Sequence, residues 1–283
     1  MSENSPTPEP VEPDESDAAR HVEAFLSEQD IRAIVRLLGE VAAIQTGQID
    51  QKRYLLNGIL RMVGGDVWVW IQGFFGSADR PPAAIQLLDE GWSNPEQRNW
   101  FYRSISEEKN PHPGQVRFAE IISKDLRHLT VLKQQMVTDE ELVASENYKH
   151  FYQHCGLGAM MMSIYPVSAA GHYSGIGVHR VQGKPDFTER DRRILHLITS
   201  EIDWLHRAGV PESGAPSAVP LTQRQRQVLF FLLAGDSIKQ VAAKLEISAH
   251  TVNDYVKLIH KYYNVSSRGE LLSKFLSTSA APK

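Results

Sequence analysis

The stretch Ser237-Ile238-Lys239-Gln240-Val241-Ala242-Ala243-Lys244-Leu245-Glu246-Ile247-Ser248-Ala249-His250-Thr251-Val252-Asn253-Asp254-Tyr255-Val256-Lys257 joins two helix signals across a very short turn. Ser237 and Gln240 form an S-x-x-Q box, in which the hydroxyl accepts a free helix-start N–H and the amide reaches back. Val241, Ala242 and Leu245 give the first helix a small apolar face. Only Glu246 and Ile247 then precede Ser248, itself an N-cap residue. Two helices joined so tightly must diverge sharply, which is a helix-turn-helix arrangement.

Working outward, Thr222 and Gln225 repeat the box upstream, and Ser267 and Glu270 repeat it downstream. Val228, Leu229, Leu232 and Leu233 form an apolar stripe ended by Gly235. In the helix opened by Ser248, Val252, Tyr255, Val256 and Ile259 share the side that anchors it. His250, Asn253, Asp254, Lys257 and Lys261 share the other, with the polar groups near the N-terminal end that a recognition helix inserts into a major groove. From Pro220 to Lys283 there are nine Lys/Arg against four Asp/Glu, whereas the whole chain carries −4. A basic module on an acidic protein concentrates its attraction for phosphate in one place, and the expected partner is double-stranded DNA.

The segment Leu221-Thr222, Arg224, Val228-Leu229, Gly235, Ser237, Lys239, Val241-Ala242, Leu245, Ile247-Ser248, Thr251-Val252, Ile259, Lys261, Val265, Ser267-Arg268 and Glu270-Leu271 resembles the LuxR/GerE-type helix-turn-helix. Its front half also resembles region 4 of sigma factors; the ending from Val265 to Leu271 favours the LuxR type. The resemblance implies a four-helix DNA-binding domain whose last helix, with Leu271, Leu272, Phe275 and Leu276, contributes to dimerisation. It carries base- or phosphate-contacting roles to Lys239 and Lys257. Asn253 stands where relatives commonly have Lys, and it suits bidentate pairing with adenine. Asp254 is unexpected beside phosphate, although it could accept from a cytosine amino group. Tyr255 replaces a frequent His. The expected DNA-binding set is Lys239, His250, Thr251, Asn253, Asp254, Tyr255, Lys257 and Lys261.

The rest divides by composition. Residues 1–18 hold six acids, no bases and four prolines, and read as a disordered acidic tail. Residues 208–220, rich in Pro, Gly, Ser and Ala, read as a linker. Between them, 19–207 is a regulatory domain, with 221–283 as the helix-turn-helix domain. Expected helices include a stripe of Ile31, Ile34, Val35, Leu38 and Ala42 behind Ser27, one over Tyr54–Val63, one behind Asn94-Pro95, one over Asp139–Tyr152, and one from Phe187 through Leu205. Expected strands are Val67–Ile71, Ala84–Leu88, Leu129–Leu132, Ala159–Tyr165 and Tyr173–His179. The class is α+β, an antiparallel sheet with long helices on one face. The stretch from Asp139 to Leu205, ending in Asp186-Phe187-Thr188-Glu189-Arg190-Asp191, resembles the end of a GAF-type sensor domain, and a GAF/PAS-like sheet with flanking helices is what that implies.

Other chemistry is thin. His150, His154 and Cys155 could bring two imidazoles near a thiol, but no third or fourth ligand accompanies them, and structural roles are expected. Trp68, Trp70, Phe74, Phe75, Trp92 and Trp100 read mainly as core, with Trp68 and Trp70 sharing one strand face that could line a pocket. No nucleophile-elbow, Walker or zincin pattern occurs, so no enzyme, cofactor or metal is expected. A single cysteine and the absence of a signal-like start or apolar span point to the cytoplasm without membrane attachment. The expected function is a DNA-binding transcription regulator acting as a homodimer, with a small-molecule effector and RNA polymerase as candidate partners. A sigma-like or polymerase-associated factor and an enzyme with a nucleic-acid tether are the alternatives.

Overall fold

The computed structural model describes residues 25–74, 83–107, 109–124, 127–167, 171–207, 221–233 and 235–276; the expected acidic tail and linker lie outside the described residues. Helix α1 (Glu28–Ala42) opens on a reciprocal capping box between Ser27 and Asp30. Its buried face is Asp30, Ile34, Leu37 and Val41, while Ile31 and Val35 are exposed, so the helix is rotated from the expected stripe. On that face the Asp30 carboxylate pairs with Arg190 across 160 residues of chain, beside the apolar contacts of Ile34, Leu37 and Val41. Helix α2 (Gln48–Met62) begins earlier than its apolar pattern suggested and ends before Gly64, which takes a positive φ.

Strands β1 (Val67–Phe74) and β2 (Ala83–Glu90) form an antiparallel pair. Helix α3 (Pro95–Ile105) follows, capped by Asn94 Oδ1, which accepts from Gln97 N at 2.8 Å. Helix α4 (Pro113–Lys124), which no sequence signal had marked, precedes β3 (Leu129–Leu132). The region expected as one helix over Asp139–Tyr152 is broken into α5 (Asp139–Ala144) and α6 (Glu146–His150) at Ser145, whose extended backbone lets its hydroxyl cap the second piece. Strands β4 (Leu157–Pro166) and β5 (His172–Val181) lead to α7 (Glu189–Glu201), opened by the Thr188–Asp191 box, and then to the short α8 (Asp203–Arg207).

The five strands lie in the order β2-β1-β5-β4-β3, with every neighbouring pair antiparallel. Alternation sends Trp68 and Trp70 to one face, where they pack with Leu55, Ile59, Ile194 and Ile198 of α2 and α7. Val67 and Val69 face the other side, against Phe101, Tyr102 and Tyr152. Helices therefore cover both faces, not one. Five consecutive apolar residues in Val67–Ile71 are what a strand buried on both sides requires.

The C-terminal region is helical: α9 (Gln223–Leu233), α10 (Ile238–Leu245), α11 (Ala249–Tyr263) and α12 (Arg268–Leu276). They close over Val228, Leu229, Leu232, Val241, Val252 and Ile259, each at most 1% exposed. Ile247 N donates to Ala242 O at 3.1 Å while Glu246 sits at φ 55°, so the tight turn is a left-handed C-cap made without glycine. Arg268 Nη2 donates to Leu232 O at 3.1 Å, tying α12 to the end of α9. The helical unit also touches the sheet domain, because Gln227 Nε2 donates to Ser106 O at 3.4 Å just past α3.

Candidate nucleic-acid interface and apolar cavity

The caps set the register of α11. Ser248 Oγ accepts from Thr251 N at 3.0 Å, and Val252, Ile259 and Tyr263 turn inward. Tyr255 and Val256 pack partly buried against the same core. Outward, His250, Asn253, Lys257 and Lys261 are exposed, and Lys239 of α10 is exposed as well. Thr251, Asp254 and Tyr255 are intermediate. Among the expected DNA-binding residues, Tyr255 is thus part of the anchor, with only a share of its surface outside.

Within this row, Lys257 Nζ donates to Asp254 Oδ1 at 3.0 Å, and His250 Nε2 lies 3.5 Å from Asp254 Oδ2. The Lys257 ammonium holds the Asp254 carboxyl below its ordinary range. Lys244, also basic and nearby in sequence, is occupied differently: both oxygens of buried Asp236 accept from it at 2.7 and 2.8 Å. Leu258 is 48% exposed on α11, an apolar side chain that the division into anchor and polar faces did not place.

A second feature lies in the sheet domain. A cavity of about 230 Å³ sits between the sheet face of Val69 and Ile71 and the helices α3 and α4, walled by Phe101, Ile105, Phe118, Ile122, Met160 and Met162. Among the described residues, no Asp, Glu, Lys or Arg lines it. On β5, Tyr173, Gly175, Gly177 and His179 alternate along its floor, and the two glycines leave the floor without side chains. His112, just before α4, is 2% exposed, and His179 is 3% exposed. Burial pushes His112 down to about 4; burial, with the neighbouring His112 adding to it, pushes His179 down to about 3. Both imidazoles are therefore neutral near pH 7. His112 Nδ1 and Nε2 and His179 Nδ1 have no hydrogen-bond partner among the described residues.

The other singled-out residues separate. His150 Nε2 lies 3.1 Å from Glu146 Oε2, and His154 packs on the Trp100 ring with centroids 4.6 Å apart. Cys155 is fully buried, and burial pushes its thiol up to about 12. Trp68 and Trp70 turn away from the cavity: their indole N–H groups donate to Asn57 Oδ1 at 2.7 Å and Ser174 Oγ at 2.9 Å. Of Phe74 no side-chain placement is described, and Phe75 lies outside the described residues. Sequence reasoning missed the cavity histidines. The alternation Tyr173-x-Gly175-x-Gly177-x-His179 was the available signal, since glycines at every second strand position hollow one face.

Residues 219–275 match the family model described as bacterial regulatory proteins, luxR family. No curated protein matches the chain. Among solved structures, the chain is similar to Escherichia coli SdiA at 12% identity, covering 86% of this chain and 95% of that one with a TM-score of 0.40. It is also similar to SdiA in complex with octanoyl-rac-glycerol, at 14% identity, 88% and 95% coverage and a TM-score of 0.41. The VqsR LBD domain from Pseudomonas aeruginosa is similar at 11% identity, 62% and 96% coverage and a TM-score of 0.37. At these scores none of the three decides what this chain binds. The capped helices, the two-residue turn, the exposed polar row of α11 and the family match together make the C-terminal unit of this chain a LuxR-family helix-turn-helix domain.

Proposed function

We propose that this protein is a transcription regulator in which α11 reads double-stranded DNA and the N-terminal domain, GAF-like in its expected kind, binds a small neutral molecule. The observation that carries the DNA reading is the row His250, Asn253, Lys257 and Lys261 on one exposed helix face, backed by a fully buried anchor at Val252 and Ile259. Lys239 and the helix ends supply phosphate contacts, while Asn253 is placed for base edges. One such module makes few base contacts, so the working form is a homodimer on two half-sites, with α12 contributing to pairing and RNA polymerase as a further partner. The chain carries out no catalysis and works in the cytoplasm; no described helix is long and apolar enough to cross a membrane.

The cavity supports the sensing half. It has an apolar wall and a few convergent polar groups, the usual composition of a small-molecule site. Helix α3 offers a route outward, because Phe101 and Ile105 line the cavity and Ser106, the next residue, accepts from Gln227 of α9. A ligand that shifts α3 would thereby shift how the DNA-binding unit is held. The test is selection of bound sites from a random duplex pool with the full chain. Recovery of a two-fold symmetric site is expected. Recovery of no enriched sequence, together with binding that ignores salt, would overturn the reading.

A further inference from the structure

We propose that Asp254 and Lys257 read one C·G base pair as a unit, the carboxylate accepting from the cytosine amino group while the ammonium donates to the guanine of the same pair. This rests on the reading of α11 as the helix that enters the major groove, and it names the base pair that this part of the helix selects.

The two side chains leave α11 one turn apart, on the side opposite the anchor of Val252, Ile259 and Tyr263. They stay accessible there, 49% and 74% exposed, yet their tips already meet at 3.0 Å. The helix thus holds out an acceptor and a donor side by side. The major-groove edge of a C·G pair shows the complement. Its cytosine N4 and guanine O6 are partners in a Watson–Crick hydrogen bond, so they too lie about 2.9 Å apart. Carboxylate over N4 and ammonium over O6 close a ring of hydrogen bonds without parting the ion pair. An ionised carboxylate accepts at both oxygens and an ammonium donates in several directions, and the ion pair takes up only one acceptor and one donor. His250 Nε2 lies 3.5 Å from Asp254 Oδ2, a long contact that a base amino group can replace. Lys257 also holds the Asp254 carboxyl below its ordinary range, so near neutral pH it is an acceptor only.

Phosphate is the poorer partner. The pair is neutral as a unit, so it adds little to the sequence-independent attraction, and the backbone repels its carboxylate. Base edges reward it instead. A T·A pair also sets an acceptor beside a donor, thymine O4 and adenine N6. There, however, the carboxylate meets the adenine N7 acceptor next to N6, and the ammonium meets the thymine methyl next to O4. In C·G the carboxylate has no acceptor neighbour beyond N4, and the ammonium reaches guanine N7 as well as O6.

The test is selection of bound sites from a random duplex pool with the full-length protein, with Asp254→Ala and with Lys257→Ala, followed by anisotropy titrations on the parent's selected site. One position of the half-site should be C·G for the parent, and either substitution should weaken the preference at that same position. Replacing the pair by G·C or T·A should cost the parent about tenfold, the worth of one good base contact. N4-methylcytosine at that position should cost as much, because its one remaining N–H is spent on guanine. Asp254→Ala should bind the cytosine and N4-methylcytosine duplexes equally. Effects of the two substitutions at different positions, preference for T·A, no N4-methyl effect in the parent, or one that survives in Asp254→Ala would overturn the paired reading while α11 remains a DNA reader. Loss of affinity by equal factors on every duplex would assign both side chains to phosphate and overturn it as well. Absence of any enriched site would overturn both this pairing and the DNA reading on which it rests.

Discussion

Asp254 and Lys257 are joined one turn apart on the exposed side of α11, with the ammonium 3.0 Å from the carboxylate. On the proposed DNA-reading face, this cation therefore already stands beside an anion of its own chain. Meeting a phosphate would require Lys257 to exchange one anionic partner for another. Asp254 would then stand exposed to the same phosphates, unless a base donor or His250 takes it up.

Asp254→Asn should therefore strengthen binding to non-cognate duplex several-fold and steepen its salt dependence. Lys257→Ala should weaken binding, with the slope of log affinity against log salt falling by about 0.9, one released counterion. Fluorescence anisotropy at several salt concentrations checks both. Identical slopes for the two variants and the parent would remove Lys257 from the contact surface.

The parts of the fold that were legible are those fixed by near neighbours. Ser27, Asn94, Thr188, Ser237 and Ser248 each accept from a backbone N–H three residues on, so five helix starts were written in single tetrads. At Ser267 the local rule holds only by half: its hydroxyl accepts from Glu270 N, but Glu270 returns to Ser266 N instead. The face of α1 was not legible, because Ile31 and Val35 are as apolar as Leu37 and Val41, and the side that turns in is decided by distant partners: the core residues of other elements and Arg190, which pairs with Asp30. The cavity was harder still. It is assembled from β1, α3, α4, β4 and β5, so no local pattern announces it, and His112 and His179 come to line it from separate elements.

Filling the cavity from its floor should separate ligand binding from folding. A Cβ at Gly175 would meet only ordinary contacts, the nearest at 3.7 Å from the Tyr173 ring. Gly175→Leu should keep the fold, with a Tm within a few degrees of the parent, since a side chain also restricts the unfolded strand. Binding of a neutral apolar probe such as butylbenzene should drop by more than tenfold, whereas DNA affinity measured without it should not change. Thermal melts and titration calorimetry read the two effects separately.

The cavity histidines also set an acid limit. Both have an ordinary imidazole pKa of 6.5 when unfolded, against about 4 for His112 and about 3 for His179 in the native state. Between those values the unfolded chain binds protons that the folded chain refuses. Stability is thus full above about pH 6.5 and is lost as the pH falls toward 4 and then 3, each histidine adding about 1.4 kcal/mol per pH unit. Denaturant melts from pH 7 to pH 4 should show this loss, and His112→Phe should make the decline shallower. An unchanged slope in that variant would mean that its imidazole is already protonated in the folded protein.

Lys52 poses the same question at the alkaline end. Its side chain is 1% exposed, its Nζ lies 3.7 Å over the Trp70 ring, and that nitrogen has no hydrogen-bond partner among the described residues. Burial pushes the amine down from 10.5 to about 7. The unfolded chain keeps this proton up to about pH 10.5 while the folded chain releases it near 7, so stability should climb across that window by about 1.4 kcal/mol per pH unit. Below pH 7 the amine is charged in both states and the folded protein carries the whole cost. Lys52→Met keeps the length and removes the charge, and it should stabilise the protein at pH 6 by several kcal/mol while flattening the rise between pH 7 and 10. Urea melts of both proteins at pH 6, 8 and 10 check this. A parent curve flat over that range would mean that the Lys52 ammonium finds a partner as good as water.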